Sequence, residues 1–592
     1  MAATQVDRLA VIEARQGQII AAVTDFGDRH PLTARVWGRL SLDFAGIAFA
    51  ALFFCWSLTP SLLPRDWLFQ GLIGGINAAV GYGVGCVVGW AVARFVVSGR
   101  RWWPPPLPVE RAIKVAVPAA AVLASLLALV FAADQQRELA ALMSAEGTST
   151  PGYLRTILLS GTIAALAISA WRGLRYIRRW ISLQLTRRTG MPLGLARTLG
   201  LLLVVLMTFM LIDGVLIRGA YAIINSAFSI HDDTATRAGA EQPMSPARSG
   251  SPESLAPWST LGYEGRNFVS RGLDADELTA INGDEAQEPI RVYVGLDTVE
   301  TAESRADLVV AELERTGAFD RSVLVLIPTT GTGWVNPTAA QTMELVHNGD
   351  LAMVAWQYSY LPSWISFLAD RGKAADAGEL LVDRVHERWS QLPENDRPKL
   401  YVYGESLGTQ SGEGTFDSLA EIRSTVDGVL WVGPPNSNRL WRQIVERRDP
   451  GTTEVAPVYS DGLVVRFADR KEDIAHPPTP WLSPRVLYLQ HASDPVVWWS
   501  PDLLLRRPDW LSEPPGPDRL PQMRWFPMVT FWQVSADLTN AAVVPDGHGH
   551  NYGTTVLDGW VAVAGPEGWT DTDTERVRAT LHALRGSEGP EK

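Results

Sequence analysis

Hydrophobic and polar positions divide this chain into two regimes. Ahead of residue 218, five apolar runs follow one another at 42–58, 68–97, 112–133, 154–171 and 198–217, each near the roughly 20 residues that cross a bilayer as a helix. Beyond that point the period changes. Short β-branched runs ("IRVYVGL", "SVLVLIP", "LAMVAWQY", "KLYVYGES", "GVLWVG", "RVLYLQH") are separated by stretches with helical spacing such as "AADAGELLVDRVHERWSQL". Strands of four to seven apolar residues between helices predict a mostly parallel sheet covered on both faces, a doubly wound α/β layer. Between the regimes, "HDDTATRAGAEQPMSPARSGSPESLAPW" holds almost no large apolar residue and reads as a flexible tether. The predicted organisation is an amino-terminal cytoplasmic segment (1–41), a five-span helical membrane region (42–217), a linker (218–258) and a second folding unit (259–592).

Charge sharpens the membrane reading. Arg8, Arg15, Arg29, Arg35 and Arg39 precede the first run, the next loop has only Arg65, and Arg94, Arg100, Arg101, Arg111 and Lys114 surround the loop after the second. The loop "WRGLRYIRRWISLQLTRR" before the last run is the most basic. Because positive loops stay cytoplasmic, this alternation places the amino terminus inside and the second unit outside the cell membrane. A cleaved signal peptide does not fit the polar segment that comes first. The second run, "GLIGGINAAVGYGVGCVVGW", is rich in glycine and suits close helix packing or a dimer face. Asn77 and Asp213 are polar exceptions within the runs, read as packing and anchoring positions. A net charge of −12 and the lack of a basic groove exclude nucleic acid as a partner. The two cysteines, Cys55 and Cys86, sit in apolar runs and offer neither a disulfide framework nor a zinc site.

Candidate chemistry centres on "KLYVYGESLGTQSGEG". A strand ending at Tyr403, then Gly404-Glu405-Ser406-Leu407-Gly408, then a helix is the context of a nucleophile elbow, in which glycines on either side of the serine let strand and helix approach closely. Downstream, "RVLYLQHASDPVVWWSP" places Asp494 in a loop after a late strand, and "VVPDGHGHNYG" offers His548 and His550 about fifty-five residues further on. Serine, acid and histidine in this order and context form a catalytic triad. No cofactor is called for, and a His-x-His metal site lacks a third ligand nearby.

From residue 255 to 551 the chain resembles the alpha/beta-hydrolase superfamily, and its layout is similar to a bacterial group of membrane-anchored members with a multi-span amino-terminal region. The resemblance implies hydrolytic chemistry at Ser406, with Asp494 orienting a histidine base. His548 is the preferred base, because "PDGHGH" is similar to the Asp/Glu-Gly-His-Gly loops of several serine hydrolases; His550, with Tyr552 as its anchor, is the alternative. Glu405 departs from the more usual aromatic or histidine beside the nucleophile. The oxyanion would be held by the backbone N–H of Leu407 and one from "TTGTGWVNP", around Thr330 and Gly331.

Aromatic residues crowd the strand ends, and Trp334, Trp498 and Trp499 are the expected lining of an apolar acyl pocket. The segment from about 434 to 484 is where a cap would form over it. A site tethered outside a membrane points to an esterase or lipase acting on a lipid or envelope ester. An acyltransferase with the same triad, a peptidase, and a non-catalytic binding or transport protein are the alternatives.

Overall fold

The computed structural model describes residues 42–97, 107–145, 150–362, 366 and 371–588; the expected cytoplasmic segment 1–41 lies outside them. The chain forms two compact units. The first comprises 1–205 together with 502–507 and 522–536, and the second comprises 206–501, 508–521 and 537–592.

The first unit is helical: α1 (Phe44–Ser57), α2 (Trp67–Ala91), α3 (Leu107–Leu142), α4 (Thr150–Thr189) and most of α5 (Leu193–Phe209), whose last four residues are assigned to the second unit. Asp43 and Asp66 start α1 and α2 by accepting from the N–H groups of Gly46 and Phe69 at 2.8 and 2.9 Å, the usual use of aspartate at an N-cap. Among the described residues four helices are long and apolar enough to cross a membrane: Trp67–Val96, Val115–Leu142, Gly152–Thr189 and Leu193–Gly214. The expectation of five is corrected at the first run. Its helix α1 has 14 residues, about 21 Å of rise against a hydrocarbon core of about 30 Å. The chain turns at residues 58–66, so an apolar run of spanning length yields a helix that is too short.

The glycines of α2 do what close packing requires. A Cβ at Gly85 or Gly81 would lie 2.3 or 2.5 Å from the carbonyl oxygens of Ala45 and Phe49 on α1, and one at Gly75 would lie 2.6 Å from Ile163 on α4. The stripe is filled from within the chain. Buried Gln533, on a helix at Val529–Asp537, also belongs to this unit and closes the end of α1. Its amide Nε2 donates to the carbonyls of Trp56, Ser57 and Thr59 at 3.4, 3.3 and 3.0 Å, while Phe526 stacks on Trp56 with centroids 4.9 Å apart.

In the second unit, seven parallel strands lie in the order β1-β3-β2-β4-β5-β7-β6: β1 (Ile290–Val294), β2 (Val323–Ile327), β3 (Leu351–Trp356), β4 (Lys399–Glu405), β5 (Gly428–Val432), β6 (Val465–Ala468) and β7 (Arg485–Leu489). Residues of β1, β2, β3 and β5 are buried throughout, as a sheet covered on both faces demands. The expected strands are all present. β6 is additional: it lies in the segment expected to form a cap, which instead supplies an edge strand and a helix at Arg439–Glu446.

The expected flexible linker is also corrected. Residues 218–234 form a helix, α6 (Arg218–Thr234), and the polar stretch beyond it is tied to the sheet edge. Arg248 bridges to Arg291 of β1, Ser249 N–H donates to the Arg291 carbonyl at 3.0 Å, and Arg291 N–H donates to Ala247 at 3.1 Å. The Arg248 guanidinium donates to the carbonyls of Val269, Gly272 and Leu273. Glu312, fully buried, accepts from Ser249, Ser254 and the Leu255 N–H. Polar side chains hold this segment in place of apolar burial, which composition does not register.

Candidate active site

The carboxyl ends of the strands carry the chemistry-bearing loops, as in open α/β sheets generally. Ser406 sits between β4 and the helix Leu407–Gly414 with φ 56° and ψ −127°, a backbone region that L-residues avoid and that strained elbows use. Its N–H donates to the Val432 carbonyl of β5 at 2.9 Å. Both flanking glycines are required. A Cβ at Gly404 would meet the Gly408 carbonyl oxygen at 2.7 Å, and one at Gly408 would meet the Pro328 oxygen at 2.5 Å. The second contact presses the elbow helix onto the loop after β2. Leu407 opens that helix, so its N–H has no intrahelical acceptor.

The loop after β2 is fixed by hydrogen bonds to β3's continuation: Thr329 Oγ1 donates to the Trp356 carbonyl at 2.6 Å and Ser359 N–H donates to Gly331 at 2.8 Å. Thr330, Thr332 and Trp334 line a cavity of about 910 Å³ together with Glu405, Ser406 and His550. Gly331 lies behind this wall, where a Cβ would strike the Leu361 carbonyl at 2.8 Å.

The structure pairs Asp494 with His550, not with the preferred His548. His550 Nδ1 lies 2.7 Å from Asp494 Oδ2, and the Tyr552 hydroxyl donates to the same oxygen at 2.8 Å. Asp494 Oδ1 accepts from Val496 N–H at 2.8 Å. An acceptor carboxylate puts the proton on Nδ1 of His550 and leaves Nε2, which is buried with no hydrogen-bond partner, as the basic nitrogen. Gly433 at the end of β5 makes room for this ring: a Cβ there would lie 2.4 Å from its Cε1. His548 points elsewhere, with Nδ1 3.4 Å from Asp518 Oδ2. The two positions sit in a tight turn closed by a short bridge, His548 to Asn551, with Gly549 between them at φ 53°. Two histidines that flank Gly549 therefore serve different carboxylates. His491 stacks on Tyr552 at 4.1 Å and supports its position.

Burial disfavours the charged imidazole of His550, but Asp494 and, further off, Glu405 overcome this and hold its pKa above the ordinary 6.5. Glu405 is therefore more than an elbow filler. Its Oε2 accepts from Asn336 Nδ2 at 2.8 Å and from the Tyr403 hydroxyl at 2.6 Å. Sequence reasoning did not single out Asn336, Gly433 or the charge effect of Glu405, because each acts through a neighbour from another loop.

Trp498 and Trp499 are not part of the cavity lining. Trp498 is fully buried between Trp441 and Trp510 and donates its indole N–H to the His491 carbonyl at 2.9 Å. The short helix Pro495–Trp498 that Asp494 caps turns both indoles inward. Of the three expected tryptophans only Trp334 faces the cavity. Phe228, His231 and Asp232 of α6, and His582 and Arg585 near the carboxyl end, also line it. Among the described residues, no group of three or more His, Cys, Asp or Glu side chains could hold a metal ion.

Residues 290–577 match an alpha/beta-hydrolase family, and residues 58–272 match the amino-terminal region described for an alpha/beta-hydrolase family. The chain belongs to the alpha/beta-hydrolase superfamily. No curated protein and no solved structure matches it.

Proposed function

We propose that this protein is a membrane-embedded serine hydrolase that cleaves a lipid or envelope ester through an acyl-enzyme. One observation carries the reading: His550 holds Asp494 with one ring nitrogen and keeps the other unpartnered, in the same cavity as Ser406 on its strained turn. A serine hydroxyl needs a base to become a nucleophile. As Ser406 Oγ attacks the ester carbonyl, its proton passes to His550 Nε2, and Asp494 stabilises the resulting imidazolium. The tetrahedral oxyanion is held by the Leu407 N–H and a backbone N–H at Thr330. His550 then returns the proton to the departing alcohol, and water, deprotonated by the same nitrogen, releases the acid.

Four helices of spanning length support the membrane assignment, and a cavity of this size accommodates a substrate larger than an acetyl ester. The test is labelling by a fluorophosphonate probe. Wild-type protein is expected to react, and Ser406→Ala to be silent. His550→Ala should slow labelling by about 10⁴-fold, while His548→Ala should retain at least about a tenth of the wild-type rate. Labelling of Ser406→Ala at the wild-type rate would overturn the nucleophile. Loss in His548→Ala with retention in His550→Ala would move the base to His548.

A further inference from the structure

The chain does not leave the membrane-length helices through a loose tether. The apolar helix α5 continues through a π-helical stretch, Met210–Ile217, directly into α6. The far end of α6 then reaches the catalytic cavity, where Phe228, His231 and Asp232 form part of its lining. Phe228 stands eleven residues beyond Ile217, about 16 Å along a helix.

That end is firmly held. Asp232 Oδ1 accepts from Tyr263 N–H at 2.8 Å, and Oδ2 accepts from Gln357 Nε2 at 2.9 Å. Gly262, at φ +71°, allows the approach, since a Cβ there would lie 2.5 Å from Asp232 Oδ2. The Arg266 guanidinium donates to the carbonyls of Asp232 and Ala235 and so closes the last turn. Gln357 follows β3 directly, two residues before Ser359, whose N–H holds Gly331 in the candidate oxyanion loop. His231 lies against the Tyr263 ring, with centroids 4.9 Å apart. Burial of Asp232, Arg266 and Gln357 below one-tenth exposure marks this as a built junction. Ile230, on the same turn, is 60% exposed.

We infer that α6 is a wall of the substrate site: Phe228 and His231 bind the substrate beside the scissile ester, and Asp232 is the positioning residue that holds them against the oxyanion loop. This rests on the ester-hydrolase reading of the cavity. It adds that the helix emerging from the membrane-length segment contributes to substrate selection, so that part of the binding surface lies outside the α/β sheet and its loops.

The experiment uses the full chain in lipid nanodiscs with acetyl and octanoyl nitrophenyl esters. Phe228→Ala and His231→Ala are expected to raise KM for the octanoyl ester about tenfold, with a smaller change in kcat. Asp232→Asn, which keeps one acceptor and sets its amide NH2 against the other of the Tyr263 and Gln357 N–H groups, is expected to do the same. Ile230→Ala should match wild type. Changes within twofold for Phe228→Ala and His231→Ala, or an equal loss in Ile230→Ala, would overturn the assignment. If wild-type protein cleaves neither ester, the hydrolase reading has failed and the wall is judged by binding alone. In protein with Cys55 and Cys86 replaced by alanine, nitrophenyl octyl ether should slow maleimide modification of His231→Cys severalfold and leave Ile230→Cys unaffected. Equal rates with and without the ether at both positions would remove α6 from the site.

Discussion

At the scale of single residues, the site is governed by what each side chain is denied as much as by what it contacts. Burial disfavours the charged form of His550, yet Asp494 and Glu405 raise its proton affinity. A base must be neutral to act, so kcat/KM is expected to rise with pH through a value above 6.5, the fully active form existing only on the alkaline side. Replacing Glu405 by glutamine removes one of the charges responsible. The acid limb of the pH profile should then move to lower pH, read from initial rates across the profile; an unmoved limb would detach Glu405 from the base. The tryptophans separate in the same way. Trp498→Ala empties a fully buried site and should cost about 3–5 kcal/mol of stability, measured by denaturant unfolding of the second unit, with little change in the relative rates on acetyl and octanoyl esters. Trp334→Ala, at the cavity wall, should change those relative rates and cost less stability. Ser406, Asp494 and the pair of histidines were legible because the elbow and the chain order constrain them. The choice between His548 and His550 was not, since both follow a glycine in one loop and only the fold decides which ring reaches Asp494. Trp498 and Trp499 misled because proximity in sequence to the acid says nothing of which way a four-residue helix turns its indoles.

At the scale of elements, periodicity located the strands of the sheet apart from β6, whose four residues "VRFA" are too few and too interrupted by charge to stand out. It failed at two boundaries for physical reasons. Run 42–58 was measured by composition, whereas Asp43 and the turn after Ser57 cut its helix to 14 residues. Segment 235–258 was judged by its poverty in apolar residues, whereas buried Glu312 and the pair Arg291–Glu344, 2.7 Å apart, supply the fixed partners that hold it and β1. The last carbonyls of the short α1 accept from a distant amide as well as from nearer donors. Gln533→Leu removes one donor from this cluster, while Ser57 keeps Gln70 Nε2 at 3.1 Å and Trp56 keeps the Thr59 hydroxyl at 2.7 Å, so the change should cost about 1 kcal/mol. A lowered thermal midpoint of the full chain in detergent is the expected reading, with fluorophosphonate labelling at low temperature preserved. A midpoint within about 1 °C of wild type would mean that the contact contributes nothing.

At the scale of the whole molecule, the proposed placement of the second unit outside the cell does not hinge on whether α1 crosses the membrane. Were the four long helices each to span, the arginine-rich sequence that follows α2 and that at the end of α4 would fall on one side. If that side is cytoplasmic, everything beyond α5 lies on the other; α1 decides only where residues 1–41 fall. A cysteine at exposed position 543 (Val543→Cys; Val543 is 81% exposed) should react with an impermeant maleimide in intact cells, and one at Arg188→Cys only after lysis. The reverse pattern would invert the orientation. The partition of the chain has a further consequence, one of time. The amide that closes α1 lies 474 residues after Thr59, and at about 5–20 residues per second a ribosome needs roughly 25–95 s to make that stretch. During this interval the end of α1 has only its nearer donors, Thr59, Arg65 and Gln70, and lacks the amide of Gln533. A chain arrested before residue 522 lacks the stretch 522–536 that packs with the helices made first, so the first unit is complete only once most of the second has been synthesised.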